Sequence, residues 1–453
     1  MNLPSYFIAD LPPGATLTPT VIREACQTLR RNRTSYLAER STPRLIRALG
    51  LLAEEWLRPD YHFRRFALEH GPAATGFSTH TLANGLNSFF RQLTTENLRA
   101  LLIQELGHVQ RLDAFEATAP EVETSRAAIA TGPEMLVHIA AGNIPSPTLH
   151  SIVLGLLTHS AQFVKCATGT SLLPRLFAHS LYEIEPKLAA CLEIAEWPGG
   201  SVDLETPLFE EADCVTATGS DEALTAIRRR LPHRVRFLHY GHRLSFGYIT
   251  RDVLCGSSTA KVVAHAVNDI VAWNQLGCLS PHVFYVETGG AVTPHQFAEQ
   301  LAEALAERER YEPRGPVPPD IAATIAAKRD FYEIRAAVSE ETRLWCSPES
   351  TAWTVLYEAD PLFAVSCLHR FIAVKATPDL TNALHSADAL RGKVSTVGLA
   401  ALEDRAPELA TELARWSATR VCPLGQMQNP PLTWRHDGRP SLGDLVTWTD
   451  WEQ

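Results

Sequence analysis

Several features are missing from this 453-residue chain, and each absence closes off a class of protein. No apolar run approaches a membrane span; the nearest, Ile152 to Leu157, ends at Thr158-His159. The start, Met1-Asn2-Leu3-Pro4-Ser5, has no basic stretch leading into an apolar one, so no signal peptide is expected. No CxxC pair occurs among the nine cysteines at 26, 166, 191, 214, 255, 278, 346, 367 and 422. That argues against a metal site and a disulfide framework, and for free thiols in a reducing cytoplasm. Basic charge is not in excess: 41 Lys and Arg against 51 Asp and Glu give a formal net charge of −10. General nucleic-acid binding is therefore not expected. No GxGxxG fingerprint follows any expected strand, which removes support for an ordinary dinucleotide-binding turn, and no internal repeat is present.

What is present is an enzyme-like composition, 45% apolar and 20% charged, in a chain too long for one simple core. Residues 1 to about 128 are mostly helical in pattern. Thr18-Pro19-Thr20 opens a helix carrying Val21, Ile22, Ala25 and Leu29. Arg44 to Trp56 repeats the pattern despite Gly50, and Ser78-Thr79-His80-Thr81 precedes a helical run through Leu106. From Glu134 short apolar runs alternate with amphipathic segments. Strands are expected at Met135–Ala140, Ala161–Cys166, Cys191–Ala195, Asp213–Ala217 and Arg234–His239, with helices between. This alternation predicts a parallel sheet covered on both faces, with ligands bound at the carboxyl ends of its strands. A second α/β unit is expected from residue 243, with strands at Leu244–Ile249, His282–Glu287, Phe371–Val374 and Ser395–Leu399. Thr293-Pro294-His295-Gln296 starts a further helix. The expected organisation is 1–242 for the helical region plus the cofactor domain, 243–422 for the catalytic domain, and 423–453 for a packed tail.

The loops after the strands hold Ala141-Gly142-Asn143-Ile144-Pro145, Thr168-Gly169-Thr170-Ser171 and Thr218-Gly219-Ser220-Asp221. Each suits close backbone approach by a ligand at a helix start, though short loops of this kind are often glycine-rich for steric reasons alone. Trp273-Asn274-Gln275-Leu276-Gly277-Cys278-Leu279-Ser280-Pro281 places a cysteine on a turn between an amphipathic run (Ser257–Trp273) and a strand. A turn on a rigid scaffold both exposes and aims a nucleophile.

Taken together, these residues resemble the LuxC family of acyl-CoA reductases, a divergent branch of the aldehyde dehydrogenase superfamily. The resemblance is carried by Cys278 in Asn-Gln-x-Gly-Cys-x-Ser-Pro, Asn143 in Gly-Asn-Ile-Pro, Lys165 ending a strand, Thr218-Gly219-Ser220, and Asn-Pro-Pro-Leu-Thr-Trp-x-x-Asp-Gly-Arg-Pro in the tail. It spans about residues 130 to 450. It implies an aldehyde dehydrogenase-like α/β fold: two parallel-sheet domains, a helical N-terminal region and a short oligomerisation element, hence a homo-oligomer. It implies Cys278 as the acyl-accepting nucleophile and Asn143 as the oxyanion-stabilising amide. By the same resemblance Lys165 meets the adenosine ribose, and Thr218, Gly219 and Ser220 meet the pyrophosphate. NADPH is the implied donor, with the choice against NADH left open. An acyl-activating ligase or carrier protein is the implied partner. Where hydrolytic relatives carry a water-activating glutamate, this chain has His239-Tyr240-Gly241-His242-Arg243, without a carboxylate. The glutamate of a later Glu-x-Phe-Gly-Pro segment is also missing, with Leu368-His369-Arg370-Phe371 nearby.

The expected activity is NADPH-dependent reduction of an acyl thioester to the aldehyde through an acyl-cysteine. Two other readings stand beside it: a cysteine-dependent acyltransferase or thioesterase, and a non-catalytic scaffold for an acyl-activating partner. Simpler roles exist for each residue. Asn143 can bridge a turn, Lys165 can snorkel from a strand end, and Thr218 and Ser220 can cap a helix.

Overall fold

The computed structural model describes residues 3–12 and 14–452; Met1 and Asn2, which open the start considered above, and Pro13 and Gln453 lie outside it. The chain divides into two compact units. One takes the chain up to Thr75, Leu86–Gly241 and the chain from Pro431; the other takes Gly76–Gly85 and His242–Pro430.

In the first unit, Thr18 caps the helix Pro19–Tyr36 by accepting the Val21 N–H (3.3 Å), with proline in the first turn. Helix Thr42–Leu57 buries Leu45, Leu49, Leu52 and Trp56, the face its periodicity predicts. The helical run expected to reach Leu106 is instead two helices, Thr79–Gln92 and Thr95–Leu106. Thr94 separates them, because its hydroxyl caps the second by accepting the Asn97 N–H (3.2 Å).

The strands of this unit are β1 (Arg126–Thr131), β2 (Met135–Ile139), β3 (Ala161–Cys166), β4 (Leu192–Glu196), β5 (Cys214–Thr218) and β6 (Arg236–Tyr240). Strands β2 to β6 form a five-stranded sheet ordered β4-β3-β2-β5-β6, and every pair is parallel. The chain winds outward from β2 to β4, then crosses to β5 and winds the other way. The reversal point lies between β2 and β5, where such sheets open a ligand crevice. Met135, Val137, Phe163 and Val215 pack with Ile22, Cys26 and Leu29 of the first helix and with Leu208 and Phe209 of helix Val202–Glu211.

The second unit contains β7 (Leu244–Ile249), β8 (Pro281–Glu287), β9 (Thr342–Cys346), β10 (Thr354–Glu358), β11 (Phe371–Thr377), β12 (Val394–Ala400) and β13 (Arg420–Pro423). They form a seven-stranded sheet ordered β13-β12-β7-β8-β11-β10-β9, parallel except for the edge strand β9, which runs antiparallel to β10. Alternation along β8 serves both faces. Phe284 and Val286 pack with helices Gly256–Val271 and Pro294–Tyr311. Val283 and Tyr285 pack on the opposite side with helices Pro319–Val338, Leu380–Ser386 and Ala406–Arg415. The expected helix start at Thr293 is a full capping box.

The tail returns to the first unit as β14 (Thr447–Glu452), antiparallel to β1 in the register Arg126↔Glu452 to Thr131↔Thr447. Glu105 anchors its approach by accepting the N–H groups of Leu442 (2.6 Å) and Gly443 (2.8 Å). Arg236 donates to the carbonyls of Leu445 (2.6 Å) and Val446 (2.9 Å). Among the described residues no helix is long and apolar enough to cross a membrane.

Candidate active site

Cys278 lies in the second unit, at the amino end of β8. The helix before it stops at Val271, and Trp273, Asn274 and Gln275 follow in left-handed conformation (φ 51°, 51° and 62°). Non-glycine residues there cost on the order of 1–2 kcal/mol each, so the surroundings must impose the turn. They do so through polar contacts. Asn274 donates to the Arg314 carbonyl (2.9 Å). Gln275 donates to the carbonyls of Pro281 (2.9 Å) and Phe371 (3.2 Å), tying the turn to β8 and β11. The Trp273 ring sits edge-on to Phe77 (5.1 Å) and fills the space beside Gly85. Beyond the turn, the Ser280 N–H donates to the Gly277 carbonyl (3.0 Å). The Ser245 hydroxyl on β7 donates to the Cys278 carbonyl (2.8 Å). Cys278 is half-buried, as are Cys346 and Cys367, whereas Cys26, Cys166, Cys191, Cys214 and Cys422 are buried, with burial pushing their thiols above the usual range.

A second left-handed turn, Leu368-His369-Arg370 (φ 64°, 57° and 66°), docks on the first. The His369 N–H donates to the Asn274 carbonyl (3.0 Å), and Arg370 Nε donates to Asn274 Oδ1 (3.0 Å). Arg370 is only 1% exposed and also donates to Glu309 (2.7 Å) and to the Glu312 carbonyl (2.8 Å). Burial lowers its guanidinium to about 10, against the upward pull of Glu309 and Glu312.

The other sequence-selected residues all lie in the first unit, at the carboxyl edge of its sheet. Asn143 is exposed on the loop after β2. A Cβ on neighbouring Gly142 would lie 3.0 Å from Thr170, so glycine lets the loops after β2 and β3 meet. Lys165 is buried at the end of β3; burial pulls its ammonium pKa down, partly offset by Glu205 and Glu196. Thr218 ends β5, half-buried. The Gly219 N–H donates to the Tyr240 carbonyl (3.2 Å), and Ser220 caps helix Asp221–Arg230 by accepting the Ala223 N–H (3.3 Å). A narrow cleft at the β2/β5 reversal is lined by Ile139, Ala141, Ile144, Thr148, Thr216 and Thr218. His138, which also lines it, links Thr216 (2.7 Å) to Gln162 (2.8 Å). Burial drives His138 down to about 4, so the ring is neutral.

A family model described as acyl-CoA reductase (LuxC) matches residues 37–448. The chain belongs to the LuxC acyl-CoA reductase family. Relatives include a long-chain acyl-protein thioester reductase of Aliivibrio fischeri, 22% identical over 90% of this chain and 82% of that one. One of the same description from Vibrio harveyi is 24% identical over 55% of this chain and about half of its own length (51%). Among solved structures, a bifunctional proline utilization A protein superposes with a TM-score of 0.74 at 17% identity, over 99% of this chain and 46% of that one. An NAD-dependent benzaldehyde dehydrogenase of Corynebacterium glutamicum superposes with a TM-score of 0.71 at 13% identity, over 97% and 91%. The fold is that of the aldehyde dehydrogenases.

Some residues of this LuxC-family chain escaped the sequence reading. Glu196, ending β4, accepts the N–H groups of Gly169 (2.7 Å) and Ser171 (3.2 Å) and so sets the loop after β3. Ser245 and Asn274 fix the cysteine turn. Asn274 stood inside the motif, where a conformation-limiting role was the available signal; Ser245 lay within an ordinary apolar strand and gave none.

Proposed function

We propose that the chain reduces an acyl thioester to the aldehyde through an acyl-cysteine on Cys278, with NADPH as reductant. Family membership and fold support acyl reduction in general. The observation that carries the cysteine assignment is the turn at the amino end of β8, where a strained, many-bonded frame presents a half-buried cysteine.

In this reading the Cys278 thiolate attacks the thioester carbonyl, the tetrahedral intermediate collapses, and the donor thiol leaves. By the family resemblance, the Cys278 N–H and the Asn143 amide would stabilise the oxyanion. Asn143→Ala is then expected to lower kcat by about 100- to 1,000-fold, checked by steady-state kinetics. The missing carboxylate in the 239–243 stretch favours transfer to the reductant over hydrolysis of the acyl-cysteine.

Three features of the first unit support a dinucleotide site. The unit has a crevice at the reversal of strand order, a buried lysine at the end of β3 and a capped helix start after β5. Lys165 would hold the ribose. Thr218 and Ser220 would hold the pyrophosphate, with Gly219 allowing close approach while its own N–H serves Tyr240. When bound there, a reduced nicotinamide would supply the hydride. Lys165→Ala is expected to raise the KM for NADPH about tenfold or more while leaving acylation of Cys278 unchanged.

The donor is a long-chain acyl group carried on CoA, on a carrier protein or on an acyl-activating ligase in the cytoplasm; the naming of the relatives as acyl-protein thioester reductases supports a protein-borne chain. The exposed β14, with Trp448 45% and Trp451 51% exposed, is the element we assign to homo-oligomer formation. The test is a single turnover: acyl-loaded enzyme should release one equivalent of aldehyde when NADPH is added. Release of free acid, or transfer to an added thiol without NADPH consumption, would replace the reductase with a thioesterase or transferase.

A further inference from the structure

The loop after β13 is fastened at its backbone with unusual completeness. Asp269, on helix Gly256–Val271, is 1% exposed, and its carboxylate accepts the N–H groups of Gly425 (2.5 Å) and Met427 (2.9 Å). Arg420 donates to the carbonyls of Gln426 (2.9 Å) and Met427 (2.7 Å). Gly425, in left-handed conformation (φ 88°), lies so close to His265 that a Cβ would stand 2.9 Å from that residue. A buried carboxylate and a guanidinium thus hold four backbone groups of a short loop.

The next residue, Gln428, turns this anchorage toward the cysteine. Its amide donates to the Ser280 hydroxyl. Its amide nitrogen and oxygen would each lie 2.8 Å from a Cβ placed on Gly277, so Gly277 lacks a side chain where Gln428 rests. Cys278 is therefore held from two sides: its carbonyl by Ser245 and the residue before it by Gln428.

We propose that Gln428 is a positioning residue for Cys278, setting the Gly277–Cys278 peptide through its contacts with Gly277 and Ser280, while Asp269 and Arg420 hold the loop that carries it. The inference rests on the reading of Cys278 as acyl acceptor. The peptide so placed includes the N–H assigned to the oxyanion, and misplacing a reacting group by about 1 Å costs on the order of 100-fold in rate.

The experiment compares Gln428→Ala, Gln428→Glu, Gln426→Ala, Gly277→Ala and the Gly277→Ala/Gln428→Ala double variant. Formation of the acyl adduct on Cys278 is followed by mass after mixing with acyl-CoA. Gln428→Ala is expected to slow adduct formation about 100-fold while the donor KM changes less than about twofold. Gln428→Glu, which keeps the volume and loses the donor, should fall the same way and guards against a misfolded alanine variant. Gln426→Ala alters an exposed side chain of the same loop and should match wild type. The double variant should be no worse than Gln428→Ala, because the methyl group added in place of the Gly277 hydrogen then meets no amide. Strictly multiplying losses, or an equal loss in Gln426→Ala, would overturn the proposal.

A donor-independent readout separates this from the functional reading. The iodoacetamide reaction rate at Cys278, mapped by peptide mass, should change in Gln428→Ala and not in Gln426→Ala; an unchanged rate counts against Gln428. A wild-type enzyme that alkylates normally but never takes an acyl group counts against the acyl-acceptor reading instead.

Discussion

At Gly85 a single methyl group has nowhere to go: a Cβ there would lie 2.0 Å from the Trp273 ring. Because Trp273 begins the left-handed turn before Cys278, crowding at Gly85 acts on the nucleophile's frame. Gly85→Ala is expected to destabilise the protein by about 1–3 kcal/mol in urea unfolding and to alter Cys278 alkylation. At this scale the setting of Cys278 on a turn was legible because a motif surrounds it, and the places of Asn143, Lys165 and Thr218-Gly219-Ser220 because they sit at the ends of readable strands or in the loops after them. Glu196, Ser245, Asp269 and Gln428 were not. Each acts through a polar contact with a distant part of the chain, as from Gln428 to Ser280, and polar residues making such contacts leave no periodic trace.

Among the elements, the two left-handed turns behave as one piece joined by Asn274 and Arg370. Arg370→Met would remove the donor to Asn274, Glu309 and the Glu312 carbonyl together, leaving two buried acceptors and a half-buried carboxylate behind. The expected loss is about 3–5 kcal/mol, read as a shifted urea midpoint. The turn before Cys278 was expected, but the left-handed conformation of neither turn was, since no residue adopting it is glycine and propensity alone disfavours it. Strands buried on both sides were the easiest to read, with β3 and β7 matching their expected limits. Helix Pro319–Val338 was missed because only Ile325 and Arg329 are buried along its length. Strand β14 was missed because all its residues are exposed, so no core pattern marks it.

For the whole molecule, stability should depend on pH from both directions. Burial lowers His138, His150, His159 and His282 to about 4 each. Unfolded, these rings take up protons below about 6.5, so the stability they contribute is present above that pH and is lost as pH falls toward 4. Burial raises Glu193 to about 8 and Asp269 to about 7, so the folded protein holds those protons and loses stability as pH rises toward 8. A thermal midpoint that peaks near pH of about 6.5 follows, measured by differential scanning calorimetry across the range, with the alkaline decline reduced in Glu193→Gln. The α/β class was legible at this scale because alternation of strand and helix persists through the chain. The return of the tail to the first unit was not, because β14 pairs with β1 from the far end of the chain, Arg126 opposite Glu452.

On the proposed mechanism, Cys278 carries the acyl group. The most direct test is the intact mass of wild type and Cys278→Ala after exposure to acyl-CoAs of graded length, without nicotinamide. A single acyl adduct is expected on wild type only, discharged as aldehyde when NADPH is added. An adduct of equal yield on Cys278→Ala would contradict that mechanism.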